Sequence, residues 1–546
     1  MKIKNIIGIA AAAVAFVSCS EKMDYHEYSV YDEDYVKTTF GRAAGIVTSV
    51  YNDLDTDFGN YSGAMLSSAT DESVYSHSGN TIEKFYNGGW SATSNNDASM
   101  WTKCYRAISY ANLFLDKFKD EKFEEYLTDQ DYPQELGQYK NLQYEARYLR
   151  AYYYFELVRA FGGVPLLVNY MEADEANAQP RKSADEIFQF INDECNAIKD
   201  LIEKNYASPS YGTLKNKTEG GRANDLAVLA LKARAALYHA SPLFNPTNDN
   251  ELWHQAAIAN KALIDECKSR GMKLTADYAS LFQKDNYKNT EECIFVRRVV
   301  SKTNSFEKYN FPVGLENAGG GNCPTYNLVE AYEAGDIRLA ATVAQNGDTW
   351  PNATLETFVG GANGMPITYA TPTGYYLKKY VQNLKITTSG ANTEQHHWVT
   401  FRLGEFYLNY AEAILNYTGD PTAKAELGMS AEQAINVVRQ RAGIGDITTG
   451  LNASQFAERL ENERFVELAF EGHRFYDLRR WKKAGEMKYR TIKNMYITKN
   501  DDGTFNETVQ TDATTRAYWD DKMYFFPIAQ SEILKSGGTL TQNPGW

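Results

Sequence analysis

The densest run of chemistry-bearing side chains in this sequence is Glu461-x-x-Arg464-x-x-Glu467, continued by Glu471, Arg474, Asp477 and Arg480. Carboxylates and guanidiniums alternate there at three- and four-residue steps, the spacing that lines up opposite charges on a helix. Such a pattern reads as a structural ion-pair network. A glycoside-cleaving pair would instead need two acids held at a fixed separation across a cleft, which linear spacing does not define. Signatures of other chemistries are missing: no G-x-S-x-G elbow, no H-E-x-x-H, no phosphate-binding Walker loop and no G-x-G-x-x-G between strand and helix. His396-His397 is the only histidine pair, and adjacent side chains diverge on helix or strand, so a shared metal is not expected. No two of the six cysteines stand in C-x-x-C spacing, which argues against a zinc site or redox motif and for scattered buried thiols.

One of those cysteines has a distinctive context. Lys2 and Lys4 precede an apolar run from Ile6 to Val17, then Ser18-Cys19, then polar residues at once (Ser20, Glu21, Lys22, Asp24). This is the order of a secretory signal peptide. The run is too short for a transmembrane helix, which needs roughly 20 residues. Cys19 at the cleavage point resembles a lipobox cysteine, acylated and made residue one of the mature protein, although Phe16 stands where such boxes often carry Leu. Removal of residues 1–18 takes both lysines and moves the formal charge from −14 to −16. An acidic chain of this kind repels polyphosphate, which argues against nucleic acid as a ligand. No later segment is apolar enough to cross a bilayer, so the lipid would be the only anchor.

The 546 residues, 43% hydrophobic and 23% charged, suit a globular chain of several domains or one large repeat-built body. Residues 19–34 read as a lipidated tether, and 35–546 as a single body: a helical part (35–267), a loop-rich insertion (268–400) and a second helical part (401–546). Leu142, Ala146, Leu149, Tyr153 and Leu157 make one apolar stripe, stopped by Gly162-Gly163 and Pro165. Ser183-x-x-Glu186 is the capping box of a helix running to about Ile202, and Ser430-x-x-Gln433 caps another to Arg441. Helices are also expected at Ala227–Tyr238, Trp253–Cys267, Arg402–Asn416 and Ser454–Trp481. The insertion carries Gly319-Gly320-Gly321 and short β-like runs such as Ile294–Val300. Paired helices in succession predict a mainly α fold of tetratricopeptide-like helical hairpins.

Several stretches, in order, resemble the SusD/RagB family of surface lipoproteins over essentially the whole chain. They are Trp101-x-x-x-Tyr105-x-x-Ile108-x-x-Ala111-Asn112, Glu145 to Phe155 leading to Phe161-Gly-Gly-Val-Pro165, Gly221-Arg222 through Tyr238, and Arg402 to Ala413. Val438-Arg439-x-Arg441-Ala442-Gly443, Glu463-Arg464, Glu471-Gly472-His473-Arg474, Asp477 to Trp481, Phe526-Pro527-Ile528 and Gln542 to Trp546 complete the set. The resemblance implies a right-handed superhelical scaffold of helical hairpins with a variable loop region. It also implies an outer-membrane, surface-exposed lipoprotein that binds oligosaccharides without cleaving them and passes them to a SusC-type TonB-dependent transporter. Glu21 and Asp24 resemble a surface-export signal. No cofactor is implied, and a structural calcium is left open. The shared motifs are scaffold, with Arg150, Glu405 and Arg474 expected to hold helices together.

Ligand contacts in that family come from variable loops, so candidates are chosen by chemistry. Sugar C–H faces stack on aromatic planes, and hydroxyls need Asn, Asp, Glu, His or Arg at the rim. The loop groups that fit are Tyr75, His77, Asn80, Tyr86, Trp90, Tyr309, Asn322 and Trp350, with Trp90 the readiest to serve as packing alone. Alternatives that stay open are a receptor for a non-sugar nutrient such as peptide, a surface glycoside hydrolase, and a helical scaffold that binds protein segments.

Overall fold

Helix boundaries follow the apolar pattern and its end signals. The computed structural model describes residues 32–206, 221–299, 301–315, 318–351, 353–382 and 393–546. Cys19 and the segment before it lie outside the described residues. The principal helices are α1 (Phe40–Asn52), α2 (Ala98–Lys117), α3 (Tyr132–Phe161), α4 (Ala184–Ile198), α5 (Asp225–Ala240), α6 (Asn250–Ser269), α7 (Leu403–Thr418), α8 (Ala431–Arg441), α9 (Ala453–Glu467) and α10 (Arg474–Arg480). From α1 to α8 each helix packs on the next in chain order, as successive helical hairpins do. The fold is mainly α and tetratricopeptide-like. A turn at Glu33–Val36, capped by the Asp32 side chain, shows that the last tether residues already belong to the body.

Both capping boxes form: Ser183 Oγ accepts from the Glu186 N–H while the Glu186 carboxylate accepts from the Ser183 N–H, and Ser430 and Gln433 do the same. The helix after Ser183 ends at Ile198, one turn short of Ile202. α3 stops at Gly162, which takes φ +72°, a left-handed conformation that glycine adopts without steric cost. The scaffold residues act as expected. Arg150 bonds Asn112 on α2 (2.6 Å) and Glu194 on α4 (2.9 Å), and the Glu405 carboxylate accepts two bonds from Arg234.

Two expectations are corrected. The stretch 454–481 is two helices: α9 ends at Glu467, and Phe470 (φ +59°) and Gly472 (φ +75°) turn the chain before α10. The charges in this stretch therefore pair between elements. The second helical part also contains an antiparallel hairpin, with Ile492–Lys499 opposite Phe505–Asp512. Its β-branched alternation around Asp502-Gly503 is the signal that the helical reading passed over.

The insertion forms short antiparallel strand pairs, with β2 (Cys293–Arg297) opposite β4 (Trp398–Arg402), and β3 (Asn322–Pro324) opposite β1 (Ser73–Tyr75) of the N-terminal part. Its side chains, among them Phe306, Phe311, Trp350, Tyr376 and Tyr380, form a second core beside the helical one. α9 serves both, giving Phe456 and Leu460 to the helical core and Phe465 and Val466 to the second.

Where the cores meet, charges are buried. The Glu467 carboxylate accepts from Arg402 Nη1 (2.6 Å), from Arg338 Nη1 (2.9 Å) and from Arg441 Nη2. Arg402 also binds Glu471 twice at 2.7 Å and Glu292 at 3.0 Å, and Arg338 reaches Asp336 and Glu463. Glu467 and Arg338 are 0% exposed and Arg402 1%. Burial opposes ionisation of Glu467, but Arg441, Arg402 and Arg338 outweigh it and hold the carboxyl well below the usual range. Removing one member leaves the others charged and uncompensated in a low-dielectric interior. Glu467→Gln is expected to cost about 3–5 kcal/mol in denaturant unfolding, as breaking a buried ion pair does. A change below about 1 kcal/mol would show that the network is replaceable by neutral hydrogen bonds.

Candidate functional site

Residues at and after the end of β1 and in the insertion form a stack of aromatic rings. Tyr75, the last residue of β1, lies 5.0 Å from the His77 ring at 26°, and His77 lies 3.7 Å from the Tyr369 ring, parallel to it. His77 Nε2 is 2.7 Å from the Gly319 carbonyl, so it must carry the proton and donate. Tyr309 and Tyr369 are about half exposed, at 48% and 49%. An ideal Cβ on Gly63 would lie 2.3 Å from the Tyr75 hydroxyl and 3.7 Å from the Tyr309 ring, which places both tyrosines over this one glycine. Tyr369 was not selected from the sequence. Its signal was present, an aromatic in a Gly- and Pro-rich loop, but nothing in linear order placed it against His77. Its φ of +63° is costly for a non-glycine residue and is the kind of strain that collects at functional sites.

The glycines noted in the sequence explain the close packing behind the stack. Gly320 (φ +77°) and Gly321 (φ +53°) have positions where a Cβ would come within 2.1 Å of the Tyr369 carbonyl and 2.2 Å of the Tyr309 carbonyl. Only glycines let the short helix bearing Tyr309 and the loop bearing Tyr369 approach the start of β3 this closely.

Asn80 sits at the rim. Its Nδ2 donates to the Ser62 carbonyl at 3.2 Å and its Oδ1 accepts from the Ile82 N–H. The Tyr75 hydroxyl donates to the same carbonyl at 3.4 Å, and burial pushes its pKa up to about 12, so it stays protonated. The structure thus brings Tyr75, His77, Asn80 and Tyr309 together and adds Tyr369.

The remaining four candidates are corrected to structural roles. Asn322 is 0% exposed: its Oδ1 accepts from the Met65 N–H and Ser68 hydroxyl, and its Nδ2 donates to Asn310 and Gly63. It pins the turn under Tyr75 and has no capacity left for a ligand. Trp350 is 2% exposed, its ring edge-on to Phe311 in the second core. Trp90 is buried against Phe85, Phe526 and Trp546. Tyr86 is buried beneath the Arg516 guanidinium, 4.7 Å from its ring centre. Aromatic residues in loops anchored the loops in these cases. His396 and His397 diverge as expected: His396 Nε2 meets Glu307 at 2.8 Å, while His397 Nδ1 accepts from the Val299 N–H.

The strand bearing Tyr75 is fixed from behind. Arg474 on α10 binds Asp71 through two bonds (2.8 and 2.6 Å), and Arg516 donates to the carbonyls of Ser68, Thr70 and Ser73. Between them Glu72 is buried and accepts from the Phe470 N–H. Burial lifts Glu72 from 4.5 to about 8 despite that bond. The folded protein therefore keeps a proton that the unfolded chain releases. This contribution is full below pH 4.5 and is lost as pH rises to about 8, by up to about 1.4 kcal/mol per pH unit. Glu72→Gln keeps the acceptor and removes the titration. Its melting temperature is expected to gain on the unsubstituted protein between pH 4.5 and 8, and parallel curves would contradict the assignment.

Comparison with known proteins follows the same lines. A family model described as the SusD family matches residues 249–546, and one described as starch-binding associating with outer membrane matches residues 30–237. A SusD-like protein of Bacteroides ovatus is 25% identical over 496 residues, spanning 88% of this chain and 83% of that protein. A SusD-like protein structure from Bacteroides fragilis superposes with a TM-score of 0.73 at 24% identity, covering 94% and 99% of the two chains. Surface glycan-binding protein A from Bacteroides fluxus gives 0.64 at 22% identity, with 93% and 100% covered. At these identities the structural likenesses speak for the fold, and the SusD model spans more than half of the sequence. The chain belongs to the SusD family.

Proposed function

We propose that this protein is a cell-surface glycan-binding lipoprotein that captures an oligosaccharide on the Tyr75–His77–Tyr369 stack, with Tyr309 and Asn80 at its edge, and delivers it to a SusC-type TonB-dependent transporter. The observation that carries this reading is the pair of half-exposed tyrosines on a rigidly backed aromatic stack. Flat rings with wet hydroxyls offer a stacking face for sugar C–H groups and donors for their hydroxyls. Backing by buried hydrogen bonds means that little conformational entropy is lost when ligand arrives. Family membership and the starch-binding description of the N-terminal model support a carbohydrate as the ligand. No bond is broken in this role. Cys19 carries the lipid that holds the body at the outer membrane, and residues 20–34 lead from it into the fold.

Calorimetry or affinity electrophoresis against a polysaccharide panel tests this directly. Tyr309→Ala and Tyr369→Ala are each expected to weaken the retained glycan by about 1–2 kcal/mol without lowering the melting temperature appreciably. Trp350→Ala is expected to do the reverse, destabilising by about 3–5 kcal/mol as a core aromatic. Full glycan affinity in both tyrosine variants would remove the stack from the binding site. Release of reducing sugar by the purified protein would overturn the non-catalytic role.

A further inference from the structure

The hairpin in the second helical part has one bound side and one bare side. Its strands are β5 (Ile492–Lys499) and β6 (Phe505–Asp512), paired over their whole length with no bulge. On the far side of β5, the Lys493 N–H donates to Asn327 Oδ1 (2.7 Å) and the Met495 N–H to the Thr373 carbonyl (3.0 Å). The Ile497 carbonyl accepts there from the Val359 N–H at 2.9 Å. Odd-numbered residues of β5 thus bond to the insertion, and the even-numbered ones bond to β6, because backbone groups along a strand alternate in direction. The register sets Asn506, Thr508, Gln510 and Asp512 opposite those even-numbered residues. Phe505, Glu507, Val509 and Thr511 therefore turn their N–H and carbonyl groups outward. None of these groups has a partner among the described residues.

Proteins blunt a bare edge with proline, lysine, a bulge or a very short strand. β6 uses none of these devices. It is eight residues long and exposed from Phe505 to Thr511, with Phe505 and Val509 each 42% exposed. It carries acids instead. From Asn500 to Thr515 the charged residues are Asp501, Asp502, Glu507 and Asp512, with no lysine, arginine or histidine. Asp502 and Asp512 accept from the hydroxyls of Thr504 and Thr514, which leaves their charge in place. Glu507, in the middle of the edge, has no hydrogen bond or ion pair among the described residues. The neighbouring cations are engaged elsewhere. Lys493 pairs with Glu330, Lys499 lies over the Phe358 ring (5.3 Å), and the buried Arg516 donates to the carbonyls of Ser68, Thr70 and Ser73.

We propose that β6 is a docking edge for an extended, basic segment of another protein, which adds to the hairpin as a third strand. The outward N–H and carbonyl groups supply the main-chain bonds of strand addition. Side chains opposite Phe505, Glu507 and Val509 set the choice of partner: apolar, basic and apolar at alternate positions. A second copy of this chain fits worse, because pairing two β6 edges sets the same acids against each other. Through Val359 and Thr373 the hairpin is bonded to the loop that also carries Tyr369, so the occupant would be held on the same part of the molecule as the aromatic stack.

Fluorescence anisotropy on the purified full-length protein tests the proposal with two labelled octapeptides. One alternates threonine with valine and lysine in turn, and the other has glutamate in place of lysine. The lysine peptide is expected to bind saturably and about tenfold or more tighter than the glutamate peptide at low salt, with the difference shrinking as salt is raised. Val509→Pro removes an outward N–H and leaves the bonds to β5 in place. It is expected to weaken the lysine peptide about tenfold with an unchanged melting temperature. Glu507→Lys keeps the backbone edge and is expected to reverse the peptide preference, so the test survives if the proline variant misfolds. Absence of saturable binding by the lysine peptide, equal binding of the two peptides, or full lysine-peptide affinity in both variants would overturn the proposal. A dimer in sedimentation that Val509→Pro dissolves would also overturn it, by assigning the edge to a second copy.

Discussion

The shared carboxylate of Glu467 is the constraint on which the rest of this structure depends. Three guanidiniums converge on it from separate stretches: Arg338 from the insertion, Arg402 from the end of β4, and Arg441 from the end of α8. Such a cluster is not a cheap source of stability, because desolvating ions offsets most of their attraction. Its effect is specificity. An interior that holds Glu467, Arg338 and Arg402 almost wholly out of water tolerates one arrangement of the partners, and that arrangement fixes the insertion against the helical body.

From that junction the order propagates to the surface. α10 follows the turn after Glu467, and its Arg474 holds Asp71 two residues before β1. Arg516 and Asn322 then use up the carbonyls and amides of the turns around Tyr75. Asn322 and Arg516 behind the stack spend their donors and acceptors within the protein, whereas Tyr309 and Tyr369 remain half in water. A rigid, hydrogen-bonded backing with a wet aromatic front is what a site for a weakly held, hydroxylated ligand requires. The Gly320–Gly321 approach belongs to the same design, since any side chain there would drive the segments bearing Tyr309 and Tyr369 off β3.

The helical body was legible in the sequence because its signals are local. Ser183-x-x-Glu186 caps its helix with its own side chains, and Gly162 ends α3 through its own φ. The charge alternation from Glu461 to Arg480 was legible as a network but not in its geometry. A three- and four-residue rhythm does not reveal that the chain turns at Phe470 and Gly472 and sends the charges to other elements. The site was half legible. Tyr75, His77 and Asn80 are neighbours in sequence, and Tyr309 stood before the glycine triplet. Trp350 and Asn322 have the same composition around them, and only long-range packing separates an aromatic that faces water from one that fills a core. Tyr369 needed the fold, since its contact with His77 joins residues 292 positions apart in the sequence.

Hydrogen–deuterium exchange with and without a retained oligosaccharide is the most direct measurement of where the ligand sits. Slowed exchange is expected in the segments 75–80, 308–315, 318–321 and 365–370, which surround the aromatic stack. Protection confined to the segments 53–61 and 97–103, or to the strand pair that carries Trp350, with those four segments unchanged, would contradict the assignment of the stack as the glycan-binding surface.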